Sequence, residues 1–232
     1  MLERTDIIGI RNTVKSFIYL DPEPIEECPF LVSHPIFDSN VMTFRDDDKV
    51  YELLNPEDLS YVQNEFKKRV NNYDLLGCYM LVRTPYKLTF IKYAMDYMSL
   101  EDFSHLLADA WVAEENPNQD VNCSIPFIIK LFRKSDKSIL MTQEDYEVYK
   151  NLPESIRVYR GVAVGRNPKG LSWTNNLEKA RWFSNRFNNK NEVGYIQTVV
   201  VNKKDILAYF NTRNEDELVC DIRKYKINRL EE

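Results

Sequence analysis

Histidine and glycine are scarce in this chain: its 232 residues include two His, His34 and His105, and six Gly. The four cysteines, Cys28, Cys78, Cys123 and Cys220, are scattered without C-x-x-C spacing, and the histidines do not form H-x-x-x-H. A zinc site and a Ser/His/Asp triad in the second half therefore lack their ligands and their base, and no metal is expected. Neither G-x-G-x-x-G nor G-x-x-x-x-G-K-[ST] occurs, which excludes the Rossmann and P-loop phosphate cradles. No run approaches the ~20 apolar residues of a membrane span, and Leu2-Glu3-Arg4-Thr5-Asp6 brings charges where a leader would be apolar. An intracellular, cytoplasmic protein with reduced cysteines is expected.

Aromatic and charged residues are abundant. Fourteen Tyr and twelve Phe, with 44% hydrophobic against 29% charged residues, give a globular composition with material for a sizeable core. The net charge of -5 conceals a split. Residues 1–126 hold 11 Lys+Arg and 22 Asp+Glu, a net of -11, whereas residues 127–232 hold 20 and 14, a net of +6. A half of modest positive charge suits a small anionic ligand such as a dinucleotide as well as it suits nucleic acid.

The patterning divides the chain. Breakers at Asp21-Pro22-Glu23-Pro24 and His34-Pro35, and a solvated turn at Asp46-Asp47-Asp48, predict loops and short strands up to about residue 50. Asn55-Pro56-Glu57-Asp58 starts a helix carrying Leu59, Val62, Phe66 and Val70. Ser99, with Asp102 three places on, caps another with Phe103, Leu106, Leu107, Ala110 and Trp111 on one face. Further helices begin at Ser124-Ile125-Pro126 and at Thr142. After Pro153 the texture becomes strand-like: 156–161, 170–174, 194–201, 205–210, 217–222 and 225–230, with one helix, capped by Asn175, inserted after the second strand. That helix carries Leu177, Ala180, Phe183 and Phe187 as its apolar stripe. Helices followed by strands predict an α+β fold. The expected organisation is an N-terminal region 1–98, mixed then helical, and a second domain 99–232 made of a helical lobe 99–152 and a β core 153–232.

Three polar features lie at strand ends in the β half: Tyr159-Arg160-Gly161, Ser172-Trp173-Thr174 and Glu215-Asp216-Glu217. Singly, each has an ordinary reading as surface charge, satisfied strand edge or solvated turn. In this order and setting they resemble the arginine-serine-glutamate class of mono-ADP-ribosyltransferases, of the bacterial toxin and phage effector type; the resemblance covers residues 156–222. It implies a β core of two packed, mostly antiparallel sheets behind a helical lobe, and NAD as substrate. In its terms Glu217 is the catalytic carboxylate, Ser172 orients it, and Arg160 holds the dinucleotide. Gly161 brings its backbone to the nicotinamide amide, Thr174 braces the strand, and Phe183 packs on nicotinamide or in the core. A Glu two places before the catalytic one, here Glu215, accompanies transfer to arginine side chains, so the implied partner is an acceptor protein bearing a target arginine. Trp173 departs from the common pattern, in which Thr stands between two Ser; alternation along a strand directs that side chain away from its neighbours.

The residue types suit the chemistry. Cleaving nicotinamide from ribose develops positive charge at the anomeric carbon, and a fixed carboxylate stabilises that transition state more than the ground state. Other outcomes for the same residues are NAD hydrolysis, modification of nucleic acid, or a non-catalytic interaction protein with an acidic docking face. Asp216 is expected to face solvent, His105 to lie on a helix face, and Trp111, Tyr146 and Tyr149 to pack between helices.

Overall fold

A computed structural model describes residues 1–114, 120–186, 188–189 and 192–230. The chain forms two compact units, residues 1–103 and 104–232. The division falls inside a helix, after Phe103.

Unit 1 opens with a helix that the breaker-rich sequence hid, α1 (Ile7–Ile18). Asp6 caps it by accepting from the Ile8 and Gly9 amides, and Ile10, Val14, Phe17 and Ile18 form its buried stripe. Two short antiparallel hairpins follow, β1 (Glu23–Ile25) with β2 (Cys28–Ser33) and β3 (Val41–Phe44) with β4 (Asp47–Glu52). Then come α2 (Pro56–Val70), capped by Asn55 as its sequence predicts, α3 (Leu75–Leu81), α4 (Lys87–Ala94) and the start of α5 (Leu100–Ala113). Ser99 Oγ accepts from the Asp102 amide, as the cap requires, but the Ser99 amide goes to Thr5 Oγ1 rather than back to Asp102.

A buried polar hub organises the turn after β2. One Arg83 nitrogen, Nη1, donates to the carbonyls of Val32, His34 and Phe37. His34, buried and stacked on Phe37 at 4.6 Å, accepts from the Ile36 and Phe37 amides through Nδ1, which leaves Nε2 as the protonated nitrogen donating to Leu20 O. Three neutral-ring hydrogen bonds thus replace the loop's own secondary structure.

Unit 2 contains α6 (Ile125–Lys134), α7 (Lys137–Leu140), α8 (Gln143–Lys150) and a six-stranded sheet with one helix, α9 (Leu177–Asn185), between its strands in sequence. The strands are β5 (Ser155–Val162), β6 (Ser172–Thr174), β7 (Tyr195–Asn202), β8 (Ile206–Phe210), β9 (Glu217–Cys220) and β10 (Asn228–Arg229). Their spatial order is β10-β7-β5-β6-β9-β8, antiparallel throughout. Helices ahead of an antiparallel sheet make the class α+β. The expected pair of packed sheets is instead one hydrogen-bonded set with a seam: β5 and β7 pair along eight residues, whereas β5 and β6 meet at Tyr159 and Thr174 alone. The last strand is also shorter than the expected 225–230, because Tyr225 leaves the strand path to bond Asp205 and the Asn202 amide.

Helix α9 starts one residue later than the sequence suggested. Asn176, not Asn175, caps it, because Thr174 Oγ1 accepts from the Asn176 amide and turns the chain there. Ala180 of its stripe is fully buried and Phe183 partly so; Phe187 lies outside the described residues.

The His34 hub generates a pH dependence. Burial pushes the imidazole down from 6.5 to about 4. Between those values the unfolded chain takes up a proton that the folded chain refuses, so stability falls as pH drops, by up to about 3 kcal/mol. His34→Asn keeps a side-chain oxygen able to accept the two amides but does not titrate. Urea unfolding at about pH 7 and about pH 4.5 is expected to show a smaller acid loss in this variant than in wild type; equal losses would refute the assignment.

Candidate active site

The strand register brings two of the three sequence features together directly. Thr174 pairs with Glu217 and Ser172 with Val219, so Ser172 and Glu217 are diagonal neighbours on adjacent strands. The Ser172 side chain stands beside the Glu217 carboxylate and acts to lower its pKa. A donor comes from α5: Trp111 Nε1 donates to Glu217 Oε1 at 3.0 Å. Burial pushes the Glu217 carboxyl above its ordinary value, and the Ser172 and Trp111 contacts oppose that rise. A carboxylate held by an indole donor in a half-buried setting has a fixed direction and little water to screen it.

The third feature joins across the seam. Arg160 Nη1 donates to the Ser172 carbonyl at 2.7 Å, and Nη2 donates to Asn167 O at 3.3 Å. Both terminal nitrogens are thus engaged within the chain, and the buried Nε has no hydrogen-bond partner. On the neighbouring strand β7, Gln197 pairs with Arg160 and Thr198 with Tyr159; Gln197 Oε1 and Thr198 Oγ1 are likewise buried without partners. Alternation puts Gln197 on the Arg160 face and Thr198 on the other, so Arg160 Nε and Gln197 Oε1 are the unsatisfied atoms that a polar ligand on that face would complete. Burial lowers the Arg160 pKa to about 10, and the nearby Glu217 charge opposes that fall, so the guanidinium remains cationic at neutral pH. It lies against Gly170, where an added Cβ would come within 2.4 Å of Nη2. Trp173, buried, donates from Nε1 to Gly170 O and fixes that turn, which gives this departure from the resembled pattern a local structural use.

Gly161 has a packing reason for its identity. A Cβ there would stand 2.1 Å from Ala180 O and 2.5 Å from Ser184 N, both backbone atoms of α9. Gly194 is as crowded, with a Cβ position 2.0 Å from Ser184 O. Phe183, half-buried, packs edge-on against Trp182 at 4.9 Å and lies over Gly161.

The acidic triplet splits into three roles. Glu217 faces Ser172 and Trp111, as above. Glu215 is paired with Arg213, Oε2 to Nη2 at 3.5 Å. Asp216, expected to face solvent, is instead the anchor of the loop: it accepts from Tyr209 Oη at 2.9 Å and pairs with Lys179 Nζ at 2.7 Å. Its backbone is left-handed, φ 46, and its amide donates to Asn211 Oδ1. Burial works to raise its pKa, and the Lys179 and Tyr209 contacts outweigh burial and hold it low. Asp216 therefore stays ionised and pins residues 211–216 between β8 and α9.

Trp111 is the residue that sequence reasoning placed too modestly. It packs edge-on to Phe132 at 5.0 Å, as a core side chain, and its indole N–H also reaches the carboxylate. A Trp buried on a helix otherwise apolar on that face needs an acceptor for its N–H, and that need is the signal for a nearby polar group. Tyr146 and Tyr149 stack on one another at 6.3 Å, with Tyr149 Oη donating to Ile206 O, a packing role. His105 is exposed on α5. No described helix is long and apolar enough to cross a membrane, and the described residues contain no group of three or more His, Cys, Asp or Glu able to hold a metal ion.

Comparison with protein-family models, with curated proteins and with solved structures finds no match. The site is therefore read from its own geometry.

The crowding at Gly161 predicts the outcome of one substitution. Gly161→Ala must displace backbone of α9, at a cost of about 2–3 kcal/mol or more. Thermal unfolding is expected to show a clear fall in Tm; an unchanged Tm would mean that α9 does not sit this close to β5.

Proposed function

We propose that this chain is a mono-ADP-ribosyltransferase that takes NAD as substrate and transfers ADP-ribose to an arginine side chain of a protein, releasing nicotinamide. One observation carries the reading: the Arg160 guanidinium donates to the Ser172 carbonyl, and Ser172 is the diagonal strand neighbour of Glu217, whose carboxylate accepts from Trp111 Nε1. The residue types that the resemblance names, separated by 57 positions along the chain, meet on three strands.

In this reading Glu217 stabilises the cationic character that develops at the anomeric carbon as the bond to nicotinamide breaks. Ser172 and Trp111 aim its carboxylate before substrate arrives, so no reorganisation is needed at the moment of reaction. Arg160 acts first as a positioning residue for the Ser172 strand and the turn before it, since Nη1 bonds Ser172 O and Nη2 bonds Asn167 O. Its fixed charge and its unpartnered Nε are what it offers an anionic ligand, and Gln197 Oε1 adds an unpartnered acceptor on the same face. Glu215 supplies a second carboxylate for the acceptor guanidinium, where pairing holds the nucleophilic nitrogen and accepts its proton.

Two substitutions test the division of labour. For Glu217→Gln, nicotinamide release from NAD is expected to fall on the order of 10²- to 10³-fold with folding retained; activity within a few-fold of wild type would leave the carboxylate without a catalytic role. For Glu215→Gln, transfer of labelled ADP-ribose to arginine acceptors is expected to be lost while NAD cleavage largely continues. Offering protein, DNA and RNA acceptors together completes the second assay, and label found only in nucleic acid would overturn the arginine assignment.

A further inference from the structure

We infer that Arg213 is itself an acceptor, a site of self-ADP-ribosylation within the same chain; this rests on the reading of Glu215 as the acceptor carboxylate. Under that reading, the place of an incoming guanidinium is on Glu215, and the structure has a guanidinium there. Arg213 Nη2 lies 3.5 Å from Glu215 Oε2.

The surroundings favour this arginine over other nearby cations. Lys179 pairs with Asp216 and donates to Asn214 Oδ1, and Arg160 is buried with both Nη atoms on backbone carbonyls. The Arg213 side chain is 38% exposed, with exposed Thr212 and Asn214 on either side, so a bulky substituent on its terminal nitrogen has room toward solvent. The loop is also fixed rather than free to carry Arg213 away. Asn211 donates from its amide to Asp145, accepts the Asp216 amide on its side chain, and accepts the Asn214 amide on its carbonyl, while Asp216 is clamped by Tyr209 and Lys179. An acceptor held against its own carboxylate reacts without the entropic cost of a bimolecular encounter.

The step balances without any redox partner. The bond from the anomeric carbon of the ribose to the nicotinamide nitrogen breaks, and nicotinamide leaves as a neutral molecule with the electron pair. A terminal nitrogen of Arg213 forms the new bond to that carbon, and the proton it loses passes to Glu215 and on to solvent. The product carries a diphosphate beside Glu215 and Glu217, so a modified loop would present like charge to a second NAD.

The test uses the full chain, NAD and peptide mass mapping, with agmatine as a small guanidine acceptor in a parallel reaction. The expected result is one ADP-ribose on the peptide containing Arg213, formed at a rate unchanged when the protein is diluted about tenfold, as an intramolecular step requires. In Arg213→Lys that modification is expected to vanish, with continued transfer to agmatine showing that the variant is folded and active. Transfer to agmatine by wild type without modification of Arg213, or a modification rate that falls on dilution, would overturn this inference and leave the proposed function standing. Absence of both nicotinamide release and agmatine transfer would overturn the two together.

Discussion

The contact between Arg160 and the Ser172 carbonyl governs unit 2. Along most of the sheet, strands are held by ladders of several pairs, but β5 and β6 share one pair, Tyr159 with Thr174. A seam that narrow joins β10-β7-β5 to β6-β9-β8 with little backbone bonding. The 2.7 Å bond from a charged guanidinium supplies what the ladder lacks there, worth about 1.5–3 kcal/mol as a charge-assisted hydrogen bond. It also fixes the strand position of Ser172, the diagonal neighbour of Glu217. The same arginine closes the turn on Gly170 and Asn167 O. One cation thus both closes the seam and holds the strand that carries Ser172.

Electrostatics at the site depend on which charges are already committed. Asp216 and Lys179 neutralise one another beside the triplet, so the charge presented by residues 215–217 is that of Glu215 and Glu217. Arg213 offsets part of that charge through Glu215. Glu217 is the least solvated of the three in its effect: burial raises its pKa, and the Ser172 and Trp111 contacts offset only part of that rise. Fixed donors replace water around such a carboxylate without abolishing its field.

Much of this was legible in the residues. Caps named Asn55, Ser99 and Thr142 as helix starts because a short polar side chain before an apolar stripe has one common use. The strand ends carrying Arg160, Ser172 and Glu217 were legible as polar residues where an apolar strand has no structural call for them. Helix α1 was not, although Ile10, Val14, Phe17 and Ile18 keep helical spacing; Ile7-Ile8-Gly9-Ile10 mixes β-branched residues with a glycine and favours no helix locally. Tertiary packing overrides that preference, for the Tyr97 ring fills the space where a Gly9 side chain would stand. Asp216 was misread for a related reason. Its partners, Lys179 and Tyr209, lie on α9 and β8, and no local pattern announces a clamp made from two other elements. Gly161 looked like a backbone left bare for a ligand, and what its bareness demonstrably admits is helix α9.

The basic character of the second half takes on a narrower meaning once its cations are traced. Arg133 bonds Asp221 and lies near Asp205, Arg223 forks onto Asp221, and Lys224 pairs with Asp205. Lys137, pushed down to about 8 by burial, donates to Ile206 O against the Tyr149 ring. These side chains hold helix ends and turns to the sheet, and a cation engaged with a buried carboxylate cannot also neutralise a phosphate without breaking that pair. Nucleic-acid binding by counterion release needs several uncommitted cations along a face, because each phosphate neutralised adds its own increment to affinity. A dinucleotide needs fewer: one fixed guanidinium and a few oriented polar atoms are enough to bind two phosphates and their sugars in one place. Arg160, with Gln197 Oε1 across the strand pair from it, is one such fixed guanidinium.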